Sequence, residues 1–151
     1  MVAAPAPPPD ELNTGLLLFI PHRAMENRIF AALARAGFDD FTLAQARVMQ
    51  RIGPEGTRLT ELAEAAQVTK QTASHLVDQL ERTGYVRRTP DPTDARARLV
   101  RLAERGTAAQ PVAAAVVAEV EAEWRAHLGE RRWRQLREAL AALREITDPY
   151  R

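Results

Sequence analysis

Between Thr69 and Arg101 the chain concentrates side chains that donate and accept hydrogen bonds at short, regular intervals. They are Thr69, Lys70, Gln71, Thr72, Ser74, His75 and Asp78, followed by Arg87, Arg88, Asp94, Arg96, Arg98 and Arg101. These groups do not make a nucleophile with its base, nor a metal-ligand set. What they offer is hydrogen bonding to a polar edge and attraction to a polyanion. Seven basic side chains face four acidic ones between Lys70 and Arg101, whereas the formal charge of all 151 residues is only +1. Most of the positive excess therefore sits in one stretch. A charge run is usually a solvated face, but this one adjoins an exposed polar helix, a juxtaposition that suits phosphate contact.

Two elements must position these groups. Thr69 precedes a periodic run, and its hydroxyl accepts from an orphan amide one turn in, so it reads as a helix N-cap. Ala73, Leu76, Val77 and Leu80 fall on one side of a 3.6-residue helix, with Gln71, His75 and Asp78 opposite and Thr72 and Ser74 on the flanks. Gly84 supplies the left-handed residue that ends the helix, and Tyr85 and Val86 start a strand. A shorter helix opens at Thr60 and buries Leu62 and Ala66. Only Gln67 and Val68 separate the two, which forces an abrupt change of direction. Arg87 and Arg88 leave the first strand, Pro90 and Pro92 stiffen the turn, and Arg96, Arg98 and Arg101 lie on the way back. Helix, tight turn, helix and two short strands joined by an arginine-bearing loop make a winged helix-turn-helix. That shape sets one helix and one loop against duplex DNA.

The stretch LTELAEAAQVTKQTASHLVDQLERTGYVRR followed by DPTDARARLVRLAERG resembles the MarR family of dimeric winged-helix transcription regulators. The family pattern runs helix-turn-helix, Leu-Glu-x-x-Gly-hydrophobic-Val-x-Arg, Asp-x-Arg in the wing and Leu-Thr-x-x-Gly at its exit. The resemblance implies that Gln71, Thr72, Ser74 and His75 read the major groove, that Arg96 enters the minor groove, and that Asp94 holds that arginine in place. With Thr69, Lys70, Arg87, Arg88 and Arg98 these residues form the expected DNA interface. Two positions depart from the pattern. Ala103 replaces the usual threonine, at a cost of about 1 kcal/mol for one lost helix cap. His75 stands where arginine is frequent. Arginine contacts guanine bidentately, while histidine offers one donor or acceptor and titrates near neutral pH, so a changed base preference and a pH-sensitive affinity are expected.

Composition narrows the classes. A 46% hydrophobic chain of this length builds a sizeable core. The absence of cysteine excludes disulfides, thiolate metal sites and thiol redox sensing, including the peroxide-sensing branch of the resembled family. Leu16 to Ile20 is an apolar run far too short for a membrane span, and no basic residue precedes it as in a signal peptide, so a cytoplasmic protein without membrane contact is expected. His22, His75 and His127 are scattered, and no ligand-spaced pair, phosphate loop or nucleophile motif occurs. The expectation is no enzyme, no metal and no cofactor.

The fold class read from the whole chain is mainly α with a small β-hairpin wing, flanked by helices from both termini. Residues 1–9, rich in proline, read as a disordered tail. Residues 10–36 read as an N-terminal dimerisation helix, capped by Asp10 and kinked or restarted at Pro21. Residues 37–103 form the winged helix-turn-helix domain. In it Thr42 and Gln45 make a capping box, a scaffold helix turns Leu43, Ala46, Met49 and Ile52 inward, and Gly53, Pro54 and Gly56 make a firm stop. Residues 104–147 read as C-terminal dimerisation helices, and 148–151 as a tail. The first of these helices follows Gly106 and runs to about Leu128, some 33 Å, with Val112, Val116, Val117, Val120 and Trp124 on one stripe. Pro111 falls in its first turn or kinks it. After Gly129, Trp133, Leu136, Leu140 and Leu143 repeat the pattern. Three long apolar stripes exceed what a compact winged unit needs as cover, and a twofold homodimer on an inverted-repeat operator follows. The resemblance implies the same dimer, a repressor, and a small lipophilic or phenolic effector in a cleft marked here by His22, Met25 and Phe30. The alternative is a dimeric winged-helix protein-interaction module without a DNA target, which salt dependence distinguishes.

Overall fold

The computed structural model describes residues 11–148. The proline-rich tail at 1–9, the expected Asp10 cap and the last three residues lie outside the described residues.

Helix α1 (Thr14–Arg35) opens on Asn13, whose Oδ1 accepts the Leu16 N–H at 2.9 Å. It is a single helix that runs through Pro21, not two helices that restart there. A proline ring removes one amide bond, and the packing of α1 along the helix after the wing keeps the backbone helical through that loss. Helix α2 (Leu43–Gln50) begins with the expected capping box: the Gln45 N–H donates to Thr42 Oγ1 at 3.2 Å and the Thr42 N–H to Gln45 Oε1 at 2.8 Å. Its fully buried residue is Val48, while Leu43, Met49 and Ile52 are half-buried, because α2 lies against the two helices that follow it.

Those helices are α3 (Leu59–Ala65) and α4 (Lys70–Arg82). The turn between them places Gln67 at φ 56° and closes on a Val68 N–H to Ala63 carbonyl bond of 3.0 Å. The sheet has three strands, not two. The two residues of β1 (Thr57–Arg58) pair antiparallel with Val100 and Leu99 on β3 (Asp94–Leu102), which pairs on its other side with β2 (Val86–Asp91), in the order β1-β3-β2. Leu62, Val77, Leu80, Tyr85, Val86 and Val100 are all at most 1% exposed and form the centre of the core, with Val48, Phe41 and Leu33 around them.

Tyr85 fixes how the long helix joins this core. Its hydroxyl donates to Asp40 Oδ1 at 2.5 Å, and Arg105 lies 4.3 Å over its ring while also bonding Asp40 Oδ2 at 2.6 Å. Three separate segments are thereby tied at one point. Helix α5 (Glu104–Leu128) accordingly starts before Gly106. Gly106 is a helical residue pressed on Tyr85, just before β2, where an added Cβ would collide with the Tyr85 carbonyl oxygen and meet Leu102 Cδ2 at 3.0 Å. Pro111 therefore sits in the helix interior, beyond the first turn. Ala103 is the N-cap and gives no side-chain bond.

Helix α6 (Glu130–Thr147) buries none of its residues. Leu136, Leu140 and Leu143 are 36–42% exposed and Ile146 84%, and at the other terminus Leu16 to Ile20 are 41–53% exposed. Among the described residues no helix is long and apolar enough to cross a membrane.

Gly106→Ala should destabilise the chain by about 1–3 kcal/mol, since backbone and not a flexible side chain must give way, and Ala103→Thr should add about 1 kcal/mol; urea unfolding checks both. The Arg105 guanidinium, and then the Tyr85 hydroxyl, hold the Asp40 carboxyl down at about 2 against an ordinary 3.8. A depressed folded-state value gives stability that is present above 3.8 and is lost as pH falls toward 2. Asp40→Asn should lower the Tm at pH 7 with the gap to the wild type closing at the acid end of that window, as measured by thermal melts across pH.

Candidate nucleic-acid interface

Helix α4 presents the side that its spacing predicts. Ala73, Val77 and Leu80 are 0% exposed, Lys70, Gln71, Thr72, His75 and Asp78 are exposed, and Ser74 is half-buried. Thr69 caps the helix by accepting the Thr72 N–H at 3.0 Å, and its own hydroxyl donates to Thr72 Oγ1 at 2.9 Å. The first turn is thus held rigid, with Lys70 and Gln71 free to point outward.

Strand alternation sorts the wing arginines. Across the β2–β3 ladder Val86, Arg88 and Pro90 stand opposite Leu102, Val100 and Arg98, while Arg87 and Thr89 stand opposite Arg101 and Leu99 on the other face. The first face borders a recess of about 440 Å³ whose walls include Lys70 from α4, Arg58 from β1, Thr60 from the start of α3, and Arg88, Arg96 and Arg98 from the wing. Lys70, Arg96 and Arg98 therefore come together. Arg87 does not join them.

Two expected roles change. Arg88 is only 21% exposed, and its guanidinium bonds Asp78 at 2.7 Å and Glu81 at 3.0 Å, so it is a strut between β2 and α4 whose charge is already neutralised. Asp94 accepts the backbone N–H of Arg96 at 3.0 Å, so it shapes the wing main chain and leaves the Arg96 side chain exposed. The residue that anchors the wing is Asp91, which sequence reasoning missed. It is 6% exposed and accepts the Thr93 N–H at 2.8 Å, the Thr93 hydroxyl at 2.7 Å and Arg58 Nε at 2.9 Å. The Thr93 bonds, helped by Arg58, hold its carboxyl at about 2. Asp-Pro-Thr is an Asx-turn signature that could have revealed it.

A second feature lies among α1, α2 and α5: a cleft of about 470 Å³ lined by Met25, Ile29, Met49, Ile52, Ala113 and Val117 among others. His22 and Met25 are among its lining residues. Phe30 is not part of the lining; it packs edge-on against Phe41, ring centroids 5.6 Å apart, inside the core. Glu26, 5% exposed, stands in the wall and takes both of its bonds from Arg47, at 3.0 and 3.2 Å, with His22 Nε2 at 3.8 Å. Arg47 pulls the Glu26 carboxyl below its ordinary range against the opposing effect of burial. Helix α2 also bonds α4 through Gln45 Nε2 to Gln79 Oε1 at 2.8 Å. One short helix thus touches both the cleft and the helix with the exposed polar face.

The model of the MarR family matches residues 39–97, which hold the helix-turn-helix and most of the wing. The crystal structure of MarR is 26% identical over 89% of this chain and 96% of that one, with a TM-score of 0.69. The winged unit of this chain matches the MarR family model, and the chain as a whole has the fold of MarR. Other solved structures superpose over comparable lengths. The transcriptional regulator PA4135 is 25% identical over 91% of this chain and 99% of its own, with a TM-score of 0.68. A Mycobacterium tuberculosis MarR-family protein, Rv2887, solved in complex with salicylic acid, is 28% identical over 89% of this chain and 98% of its own, with a TM-score of 0.62. No curated protein matches the chain by sequence. The chain thus shares the fold of MarR-type transcription regulators.

Proposed function

We propose that this chain is a cytoplasmic, homodimeric repressor of the MarR family that binds an inverted-repeat operator in double-stranded DNA and is released by a small lipophilic effector. The observation that carries the reading is the pairing of an exposed polar face on α4 with a recess walled by Lys70, Arg96 and Arg98. Among the described residues none of those three cations has a carboxylate partner, so their charge is available to phosphate. Gln71 and His75 stand where base edges would lie, and Arg96 at the exposed wing would reach the neighbouring groove.

The dimer rests on apolar surface. A helix of 18 residues with none buried, beside an α1 that exposes Leu16 to Ile20, would leave a large apolar area in water if the chain stayed single. A twofold partner that covers both ends removes that area and sets two α4 helices against successive major grooves. The effector reading rests on the apolar cleft and on its place beside α2. A ligand that parts α1 from α2 would shift Arg47 and Gln45, and through Gln79 the helix that meets DNA. The salicylic acid bound by the Mycobacterium tuberculosis relative is consistent with a ligand of this kind.

Operator affinity should fall by orders of magnitude between 50 and 200 mM salt, as expected when several phosphate contacts release counterions. Arg96→Ala should reduce the slope of log affinity against log salt by about 1, Arg88→Ala should lower the Tm with that slope unchanged, and Gln71→Ala should alter sequence preference. Titrations of labelled operator at four or more salt concentrations check all three, and an Arg88→Ala slope as flat as that of Arg96→Ala would contradict the assignment. Light scattering should give twice the 16.8 kDa chain mass at micromolar concentration; the single mass would remove the dimer.

A further inference from the structure

One hydroxyl of the wing faces cations. Thr89 Oγ1 accepts a hydrogen bond from Arg101 Nε at 3.1 Å, and Arg87 stands directly opposite Arg101 in the β2–β3 ladder, on the same strand face as Thr89. Like charges so placed repel one another, and the sheet holds them there at a cost. Among the described residues neither arginine has a carboxylate partner, whereas arginines of neighbouring elements are neutralised: Arg47 by Glu26, Arg58 by Asp91, Arg88 by Asp78 and Glu81, Arg105 by Asp40. Strand alternation puts the pair on the face opposite Arg98, so phosphates tracked by Lys70, Arg96 and Arg98 do not account for it. Other hydroxyls nearby point at electron-rich groups. Thr93 donates to the buried Asp91 carboxylate at 2.7 Å, and Thr83 to the Gln79 carbonyl at 3.1 Å. An anion carried on either of these would be repelled, and one carried on Thr89 would meet two guanidinium groups.

The sequence around this hydroxyl is Arg87-Arg88-Thr89-Pro90. It lies on β2, an edge of the sheet whose order is β1-β3-β2, and Thr89 is half-buried, not sealed in the core. An edge strand offers extended backbone to an enzyme that binds its target as an added strand. The ladder shifts register just beyond, between Pro90 and Asp91, and Pro90 gives it no amide donor, so pairing is weakest where the strand must lift.

We propose that Thr89 is a phosphorylation site whose phosphate is clamped by Arg87 and Arg101. The modifying enzyme is a hydroxyl-directed protein kinase with ATP as donor. Thr89 Oγ1 bonds to the γ-phosphorus, the bond from that phosphorus to the bridging oxygen breaks, ADP leaves, and the hydroxyl proton passes to the base of the kinase. The product carries roughly two negative charges at neutral pH and three acceptor oxygens. Both guanidinium groups then make charge-assisted bonds to it, and their mutual repulsion is relieved. The wing loses about two units of positive charge close to the DNA-facing cations, so the modification weakens operator binding; this last consequence alone rests on the DNA reading above.

The modification is tested by incubating the full chain with γ-labelled ATP and a soluble extract of the cells that naturally express it, then mapping the label by tandem mass spectrometry. Label should appear on Thr89, persist on the serine of Thr89→Ser and vanish from that position in Thr89→Val. Label confined to other residues, or none at all, overturns the proposal. The clamp is tested on chain made with phosphothreonine placed at position 89 by codon suppression. It should melt roughly 2–4 °C above the unmodified chain, and the double variant Arg87→Gln with Arg101→Gln, compared with its own unmodified form, should lose that gain. A gain that survives the double variant, or a lower Tm on phosphorylation of the wild-type sequence, removes the clamp and the proposal with it. In operator titrations the phosphorylated chain should bind severalfold more weakly at about 50 mM salt, with the gap narrowing toward about 200 mM as screening grows. Equal affinity of the two forms contradicts the regulatory effect. Failure of both forms to bind any operator contradicts the DNA reading instead, and the label and the melting gain still decide the site.

Discussion

Burial of Val77 and Leu80 in the cluster that holds Leu62, Val86 and Val100 is the contact on which the rest of the structure depends. Each of these side chains contributes roughly 2 kcal/mol by leaving water, and together with Ala73 they leave α4 one way to sit. Once that face is inside, Gln71, His75 and Asp78 must be outside. Chemistry at the surface of this helix is therefore a consequence of its core side. The same packing brings Arg88 over Asp78 and Glu81, so the wing and the helix are locked at a set distance by two short ion pairs.

Around that centre the fold is a chain of couplings that use polar groups sparingly. Tyr85 with Asp40 and Arg105 joins α5 to the winged unit, and Glu26 with Arg47 joins α1 to α2. Gln45 with Gln79 joins α2 to α4. Each is largely shielded from water on at least one partner, where removing one side leaves a buried polar or charged group unsatisfied. The long helices and the polar face of α4 are thus linked through α2 by specific contacts, a route by which a change at the cleft would reach the wing and α4.

Much of this was legible in the residues. The N-cap at Thr69, the capping box of Thr42 and Gln45, the inward series Ala73, Val77 and Leu80 and the stop at Gly84 are local signals, set by interactions within one turn of the chain. What could not be read depends on distant partners. The two residues of β1 carry no periodicity of their own and become a strand only because Val100 and Leu99 lie beside them. Gly106 looked like a helix boundary because its reason for lacking a Cβ is the carbonyl of Tyr85 on another element. Pro21 and Pro111 suggested breaks, yet packing over long helices outweighs one lost amide bond at each. Neighbouring Arg87 and Arg88 read alike in sequence, and the two faces of a strand give them opposite surroundings. Phe30 carried the right chemistry for a ligand wall and was claimed by Phe41 for the core.

The proposed regulator sets the outward faces of α4 from two copies of this chain into separate grooves of one duplex. Hydroxyl-radical footprinting on a fragment selected from genomic DNA for binding tests it most directly. The account predicts two protected patches related by an inverted repeat, their centres about one helical turn or roughly 34 Å apart, with protection at the inner edge lost in Arg96→Ala. A single isolated patch, or protection that spreads evenly along any fragment regardless of sequence, would contradict it.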